Sequence, residues 1–303
     1  MHWSDTVRDY YPVDPAPRWG FGKPVHTEVK AALDKWRDNY AAALDIIASH
    51  RAALHAVSHA EPADLEPFWD NSWFTALDAA ALVGFLLDRR PRRYLEIGSG
   101  HSTRFARYAI RCGGLSTTIT SIDPTPRSGN VDPLCDRVIR HRLEDCDLAV
   151  FNELRAGDIL FFDGSHRVFP NSDVTTLFFD VLPRLAPGVL VHLHDIFLPE
   201  DYPPQWSNRL YSEQYLLGAT LLCPAQPFRI VLPNYFVCTD PALAGTVKRI
   251  FHSGQGPDIP FIYGNSVQNP GNSFWIETLG NRAGSGVRRP FAAISRMIRW
   301  GRD

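Results

Sequence analysis

Between residues 93 and 195, five short runs of β-branched and apolar residues alternate with stretches of helical spacing. They are YLEIG at 94–98, TTITSID at 117–123, RVIRH at 137–141, DILFFD at 158–163 and VLVHLHD at 189–195. Strands this continuously apolar are buried on both faces, which requires a parallel sheet covered by helices above and below. The pattern predicts an open, mostly parallel α/β fold whose ligands sit beyond the carboxyl ends of the strands. With 303 residues, 45% of them hydrophobic, the chain has enough material for one large core.

The flanking segments read differently. From Thr27 to about Leu54, Val29, Leu33, Trp36, Tyr40, Leu44 and Ile47 recur at steps of three or four, predicting a long amphipathic helix, and a second helix fits Thr75 to Leu87. Glu61-Pro62 and Glu66-Pro67 interrupt them. Phe68, Trp69, Trp73 and Phe74 then form either a hydrophobic plug or one wall of a substrate pocket. This gives an N-terminal helical cap over 1–72, a main domain over 73–279 and an appended tail over 280–303. The tail holds six arginines between Arg282 and Arg302, with Phe291, Ile294 and Ile298 at helical spacing. It is read as a docked or frayed terminal helix, with weak association to a membrane surface as the alternative.

Charge and cysteine content narrow the function. With 31 Lys+Arg against 33 Asp+Glu and a net charge of −2, no nucleic-acid partner is expected, because phosphate contacts need clustered Lys and Arg. No run approaches the ~20 apolar residues of a membrane span, and the N-terminus lacks a basic region leading into an apolar one. Five cysteines without a C-x-x-C pair suggest neither a disulfide framework nor a zinc site, so a cytoplasmic protein is expected. Self-association is left open.

The sharpest motif is Tyr94-Leu95-Glu96-Ile97-Gly98-Ser99-Gly100-His101-Ser102-Thr103, a strand entering a glycine turn and then a helix with Phe105, Ala109 and Cys112 on one face. Thr103 stands where a dinucleotide fingerprint wants Gly or Ala, and no P-loop lysine follows, so pyrophosphate binding is disfavoured. Glu96, two residues before the first glycine, suits a cationic ligand better. Asp123 ends the next strand 23 residues past Gly100, near the ~20-residue spacing at which an acid reaches ribose hydroxyls. Leu143-Glu144-Asp145 is placed to pack against and hydrogen-bond an adenine ring.

A second constellation follows the fourth and fifth strands: Asp163 and His166, then His194 and Asp195. Two carboxylates and two imidazoles on neighbouring strand ends suit proton removal, for which a histidine near neutral pKa is the natural base. His166 is favoured over His194 because it falls on a loop. The same four residues are an alternative divalent-metal site, although His194 favours zinc or iron over magnesium. The long loop 201–215 reads as a lid, with Trp206 and Tyr211 offering flat faces and Arg209 and Glu213 polar handles to a small acceptor.

These pieces, EIGSGHST (96–103), SIDP (121–124), DGSH (163–166), HLHD (192–195) and the late strand GNSFWIET (271–278), resemble class I S-adenosylmethionine-dependent methyltransferases. Specifically, they resemble the small-molecule group with an Asp-Gly-x-His run after strand four. The resemblance spans about Trp73 to Thr278. It implies an open seven-stranded Rossmann-like sheet and S-adenosylmethionine as cofactor. It places Glu96, Gly98, Gly100 and Ser102 at the methionine side, Asp123 at the ribose, Glu144 and Asp145 at the adenine, and Asp163 beside them. The implied activity is methylation of a small-molecule acceptor, most readily at a hydroxyl oxygen, with His166, His194 and Asp195 catalytic and Trp206, Arg209 and Tyr211 meeting the substrate. The rival readings are a regulatory module that binds the cofactor without transfer, and a metal-dependent hydrolase on the same rim.

Overall fold

Residues 14–279, apart from 75, 253, 255–257 and 261–270, are described by the computed structural model. The tail with Phe291, Ile294 and Ile298 therefore lies outside the described residues.

The segment read as one long helix forms three: α1 (Thr27–Asp34), α2 (Arg37–Ser49) and α3 (Arg51–His55). At the first break Trp36 N–H donates to Leu33 O, and the Arg37 guanidinium bonds both Asp34 and Asp240. The breaks let α1 reach the helix after the fifth strand while α2 lies on the next helix, α4 (Ala76–Arg89). A straight rod would forfeit one of these contacts. Buried apolar residues from Val29 to Val57 join the same core as the sheet.

Helix α4 is buried on every side from Ala76 to Leu86, which explains its small residues. It leads into β1 (Arg93–Ile97), α5 (His101–Cys112), β2 (Thr118–Ile122), β3 (Arg137–Ile139) and β4 (Ile159–Phe162). On α5 the buried face carries Phe105 and Ala109, but Cys112, expected on it, is exposed. Beyond β4 come α6 (Asp173–Thr176), running into a π-helical turn at Leu177–Val181, then β5 (Leu190–Leu193) and α7 (Glu213–Leu221). The chain closes with β6 (Phe228–Pro233), α8 (Asn234–Thr239), α9 (Ala244–Phe251) and β7 (Phe274–Thr278).

The seven strands form one sheet in the order β3-β2-β1-β4-β5-β7-β6. All pairs from β3 to β5 are parallel, whereas β7 runs antiparallel between β5 and β6. Chain order reverses between β1 and β4, and at such a switch point the loops diverge to leave a crevice. Side chains such as Phe161, Phe162 and Trp275 are fully buried, each contributing about 1.5–3 kcal/mol as an upper bound. One buried charge sits in the first turn of α4. The Asp78 carboxylate accepts from the backbone N–H groups of Asn272 and Ser273 and from the Asn234 side-chain amide, fastening α4 to the start of β7 and to α8.

Candidate active site

A cavity of about 510 Å³ opens at the β1/β4 switch point. Its floor is the glycine turn. Gly98 has φ +80°, and a Cβ built on it would stand 2.0 Å from the Asp163 carbonyl oxygen, so only glycine lets the β1 and β4 ends pass this closely. Gly98, Gly100, Ser102, Asp123, Glu144 and Asp163 all wall the cavity, as their sequence placement expected. The Asp123 carboxylate accepts from Ser99 N–H at 2.8 Å, Ser99 hydroxyl at 3.0 Å and Thr125 N–H at 2.8 Å, which fixes its rotamer at the cavity edge.

Two expected cofactor residues do not wall this space. Glu96 is fully buried beneath the turn, where Thr103, Tyr94 and Ser102 hydroxyls donate to it at 2.5, 3.1 and 3.3 Å. Burial pushes its carboxyl up to about 8 despite those three donors, so it is mostly protonated at neutral pH. Its task is to organise the turn: Thr103 Oγ1 also accepts from Gly100 N–H at 3.0 Å. Asp145 ends a 3₁₀ turn whose Leu143 and Glu144 face the cavity; its own carboxylate does not wall the cavity but pairs at 2.7 Å with Arg142, which does.

The aromatic cluster before α4 divides between the two roles left open by its sequence. Phe68 and Trp69 are buried in packing, whereas Phe74 and the 57%-exposed Trp73 wall the cavity. His101, which opens α5, also lines it, with Nδ1 buried and unpartnered and its ring edge-on to Phe68. Burial and then the charge of Arg104 push this imidazole down to about 4, so it is neutral.

At the rim the structure brings all four expected groups together and adds two more. His166 is 3% exposed. Its Nε2 lies 3.1 Å from Asp163 Oδ1 and 3.4 Å from Asp195 Oδ2, and its Nδ1 lies 3.0 Å from Glu213 Oε2. His194 Nδ1 lies 3.5 Å from Asp163 and 3.6 Å from Asp195, with Nε2 3.6 Å from Asp78. Burial opposes charge on both rings, but Asp163 and the other surrounding carboxylates outweigh it and hold them well above the usual imidazole range. Reciprocally, burial resists ionisation of Asp163, but the charge of His194 and the hydrogen bond from His166 hold it well below the usual carboxylate range. Among these groups Asp163 walls the cavity; neither imidazole does. His166 (φ +59°) and Asp195 (φ +56°) are two of the non-glycine residues in the left-handed region.

These contacts alter the sequence-based roles. Both His166 nitrogens lie on carboxylates, and neither is turned toward the cavity. Among the described residues, no group of three or more His, Cys, Asp or Glu is arranged to hold a metal ion, because the rim side chains are spent on one another. Glu213, expected as a handle for the acceptor, is fully buried against His166. Arg209 lies over the Trp206 ring at 3.9 Å rather than facing a cavity. Trp206 and Tyr211 do line a second cavity, considered below.

Residues 95–196 match a family model described as a methyltransferase domain. No curated protein matches the sequence. Among solved structures, the SAH-bound methyltransferase PaMTH1 of Podospora anserina is 15% identical with a TM-score of 0.37, covering 70% of this chain and 93% of that one. An O-methyltransferase from Bacillus cereus in complex with SAH is 14% identical with a TM-score of 0.35, covering 78% and 90%. The O-methyltransferase TomG from Streptomyces achromogenes, in complex with SAM, is 17% identical with a TM-score of 0.33, covering 78% and 89%.

The site includes two residues whose part in it the sequence does not reveal. Asp78 and Glu213 lie far from the strand ends in sequence, yet each closes the charged cluster on a side away from the cavity. Asp78 had a signal, a lone acid inside the otherwise apolar run Ala76-Leu77-Asp78-Ala79-Ala80. Glu213 had none, since an acid in the first turn of a helix is ordinary capping chemistry.

Proposed function

We propose that the protein transfers a methyl group from S-adenosylmethionine to a hydroxyl oxygen of a small molecule. The observation that carries this reading is the close passage of Gly98 beneath Asp163, which leaves a cavity with Asp123 at one side and an ionised carboxylate at the other. The fit is chemical as well as spatial. The Asp123 carboxylate suits a ribose diol, Leu143 and Glu144 suit an adenine, and the open glycine backbone suits the methionyl portion. When bound, the cofactor supplies a methyl already activated by a sulfonium, so the protein's work is chiefly alignment.

In this reading Asp163 accepts the hydrogen bond of the acceptor hydroxyl, orients its oxygen and takes up its proton as the oxygen–methyl bond forms and the sulfur–methyl bond breaks. His166 and His194 act behind it, keeping the carboxylate ionised and its rotamer fixed, and Asp195 shares both imidazoles. The described residues include no helix long and apolar enough to cross a membrane, in keeping with an acceptor met in water.

The test is transfer of labelled methyl from S-adenosylmethionine to a panel of alcohols, phenols and amines, run with and without EDTA. Turnover restricted to hydroxyl acceptors and unaffected by EDTA is the expected result. Loss of turnover on chelation supports a divalent ion held by Asp163, His166, His194 and Asp195 instead. Cofactor binding without transfer to any acceptor supports a regulatory module.

A further inference from the structure

The second cavity, about 580 Å³, lies between the N-terminal segment 14–18 and the loop 201–215. Phe169, Tyr202, Trp206, Tyr211 and Tyr215 supply its walls, and the Phe169 side chain borders the first cavity as well. Resting on the methyl-transfer reading, we propose that this cavity holds the body of the acceptor and that the acceptor is a flat aromatic alcohol or phenol.

Size permits it, because small-molecule sites span roughly 300–1,000 Å³. Wall chemistry then selects the class. Tyr211 stands edge-on to Trp206 (5.7 Å, 78°) and to Tyr202 (5.7 Å, 80°), and Tyr202 stands edge-on to Tyr215 (5.9 Å, 83°). Rings set at right angles present both faces and edges to a planar guest, the offset and T-shaped contacts that aromatic pairs prefer. One side of Trp206 is occupied by the Arg209 guanidinium, which braces the indole.

Several polar groups of the wall are already engaged. Asp201 accepts from the backbone N–H groups of Arg18 and Trp19 and from the Tyr215 hydroxyl at 2.9 Å. The Arg18 guanidinium lies over the Trp19 ring at 4.0 Å. Ser212 Oγ accepts from Val168 N–H at 2.8 Å. Asp14 is exposed at the mouth. At the inner end the Tyr211 ring packs on His166 (4.5 Å between centroids), and His166 touches Asp163. A ring seated beside Trp206 and Tyr211 thus directs its hydroxyl past Phe169 toward Asp163.

Calorimetric titration with 2-naphthol and with its saturated counterpart decahydro-2-naphthol tests this, using wild type, Trp206→Leu and Phe169→Leu. The proposal expects 2-naphthol to bind wild type about tenfold more tightly than the saturated ring and to lose about that factor in Trp206→Leu, while the saturated probe changes little. Equal affinities for the two probes, or 2-naphthol binding untouched by both substitutions, overturns it. S-adenosylhomocysteine is titrated into the same samples. Undiminished binding in Trp206→Leu shows that the fold is intact. Its absence from wild type contradicts the methyl-transfer reading alone, since the naphthol comparison is read without the cofactor.

Discussion

Glu96 lies on β1 and Asp163 just past the end of the adjacent strand β4, yet the two carboxyls are driven in opposite directions. Glu96 is surrounded by hydroxyl donors, and burial pushes it up to about 8. Asp163 is flanked by two imidazoles and is held well below the usual range. Three hydroxyl hydrogen bonds do not offset the cost of fully burying the Glu96 charge, whereas Asp163, 36% exposed on the cavity, has two imidazoles beside it as well. The glycine turn is accordingly organised by a mostly neutral acid, whereas the rim presents an anion. One region shapes the cavity and the other gives it chemistry.

The comparison breaks most visibly at the anion. Asp163→Asn keeps the shape of the side chain and removes its charge, so kcat for methyl transfer is expected to fall about 100-fold or more, with S-adenosylhomocysteine affinity changed far less. Steady-state kinetics beside calorimetry checks this, and parallel losses in both quantities would assign Asp163 to cofactor binding instead. Next in size is His166→Gln, which withdraws a buried positive charge from among Asp163, Asp195 and Glu213. Urea denaturation is expected to show a loss of about 3–5 kcal/mol. A cost below about 1 kcal/mol would mean that the ring is neutral.

The mostly neutral acid gives a pH test. Because the folded-state pKa of Glu96 is raised from 4.5 to about 8, the unfolded chain ionises first as pH rises, and wild type loses stability progressively between those values. Glu96→Gln lacks this loss, so any stability advantage of wild type over the variant is expected to shrink from pH 5 to pH 8. Thermal melts across that range measure it, and a difference independent of pH would show that Glu96 is ionised in the fold. The smallest effect belongs to Asp145→Ala: its pairing with Arg142 is solvent-exposed and adds little to stability, so the melting temperature and S-adenosylhomocysteine affinity are both expected to stay at the wild-type values.

What the sequence made legible follows from how local each signal is. Strands β1 to β5 and the glycine turn stood out because continuous apolar runs and a G-x-G turn are properties of neighbouring residues. Strand β6, Phe228–Pro233, was not marked: prolines at 224, 227 and 233 bracket it, and its partner β7 lies about 40 residues downstream. The helical segment 27–54 was read as continuous because its breaks are imposed by packing on α4 and α7, which periodicity does not encode. At the site, Asp163, His166, His194 and Asp195 were found together because each follows a strand. Their division of labour was not legible, since it depends on Glu213 and Asp78, brought in by α7 and α4. Glu96 was assigned to the cofactor because a sequence does not show that the turn lies between it and the cavity.

The central claim is that the turn at Gly98 floors a pocket for an adenosyl sulfur compound. Calorimetric titration of S-adenosylhomocysteine into wild type and Gly98→Val tests it most directly. The account predicts saturable binding at one site per chain in wild type and none in the variant, with both proteins folded by circular dichroism. No saturable heat with wild type, or equal affinity in the two folded proteins, would contradict it.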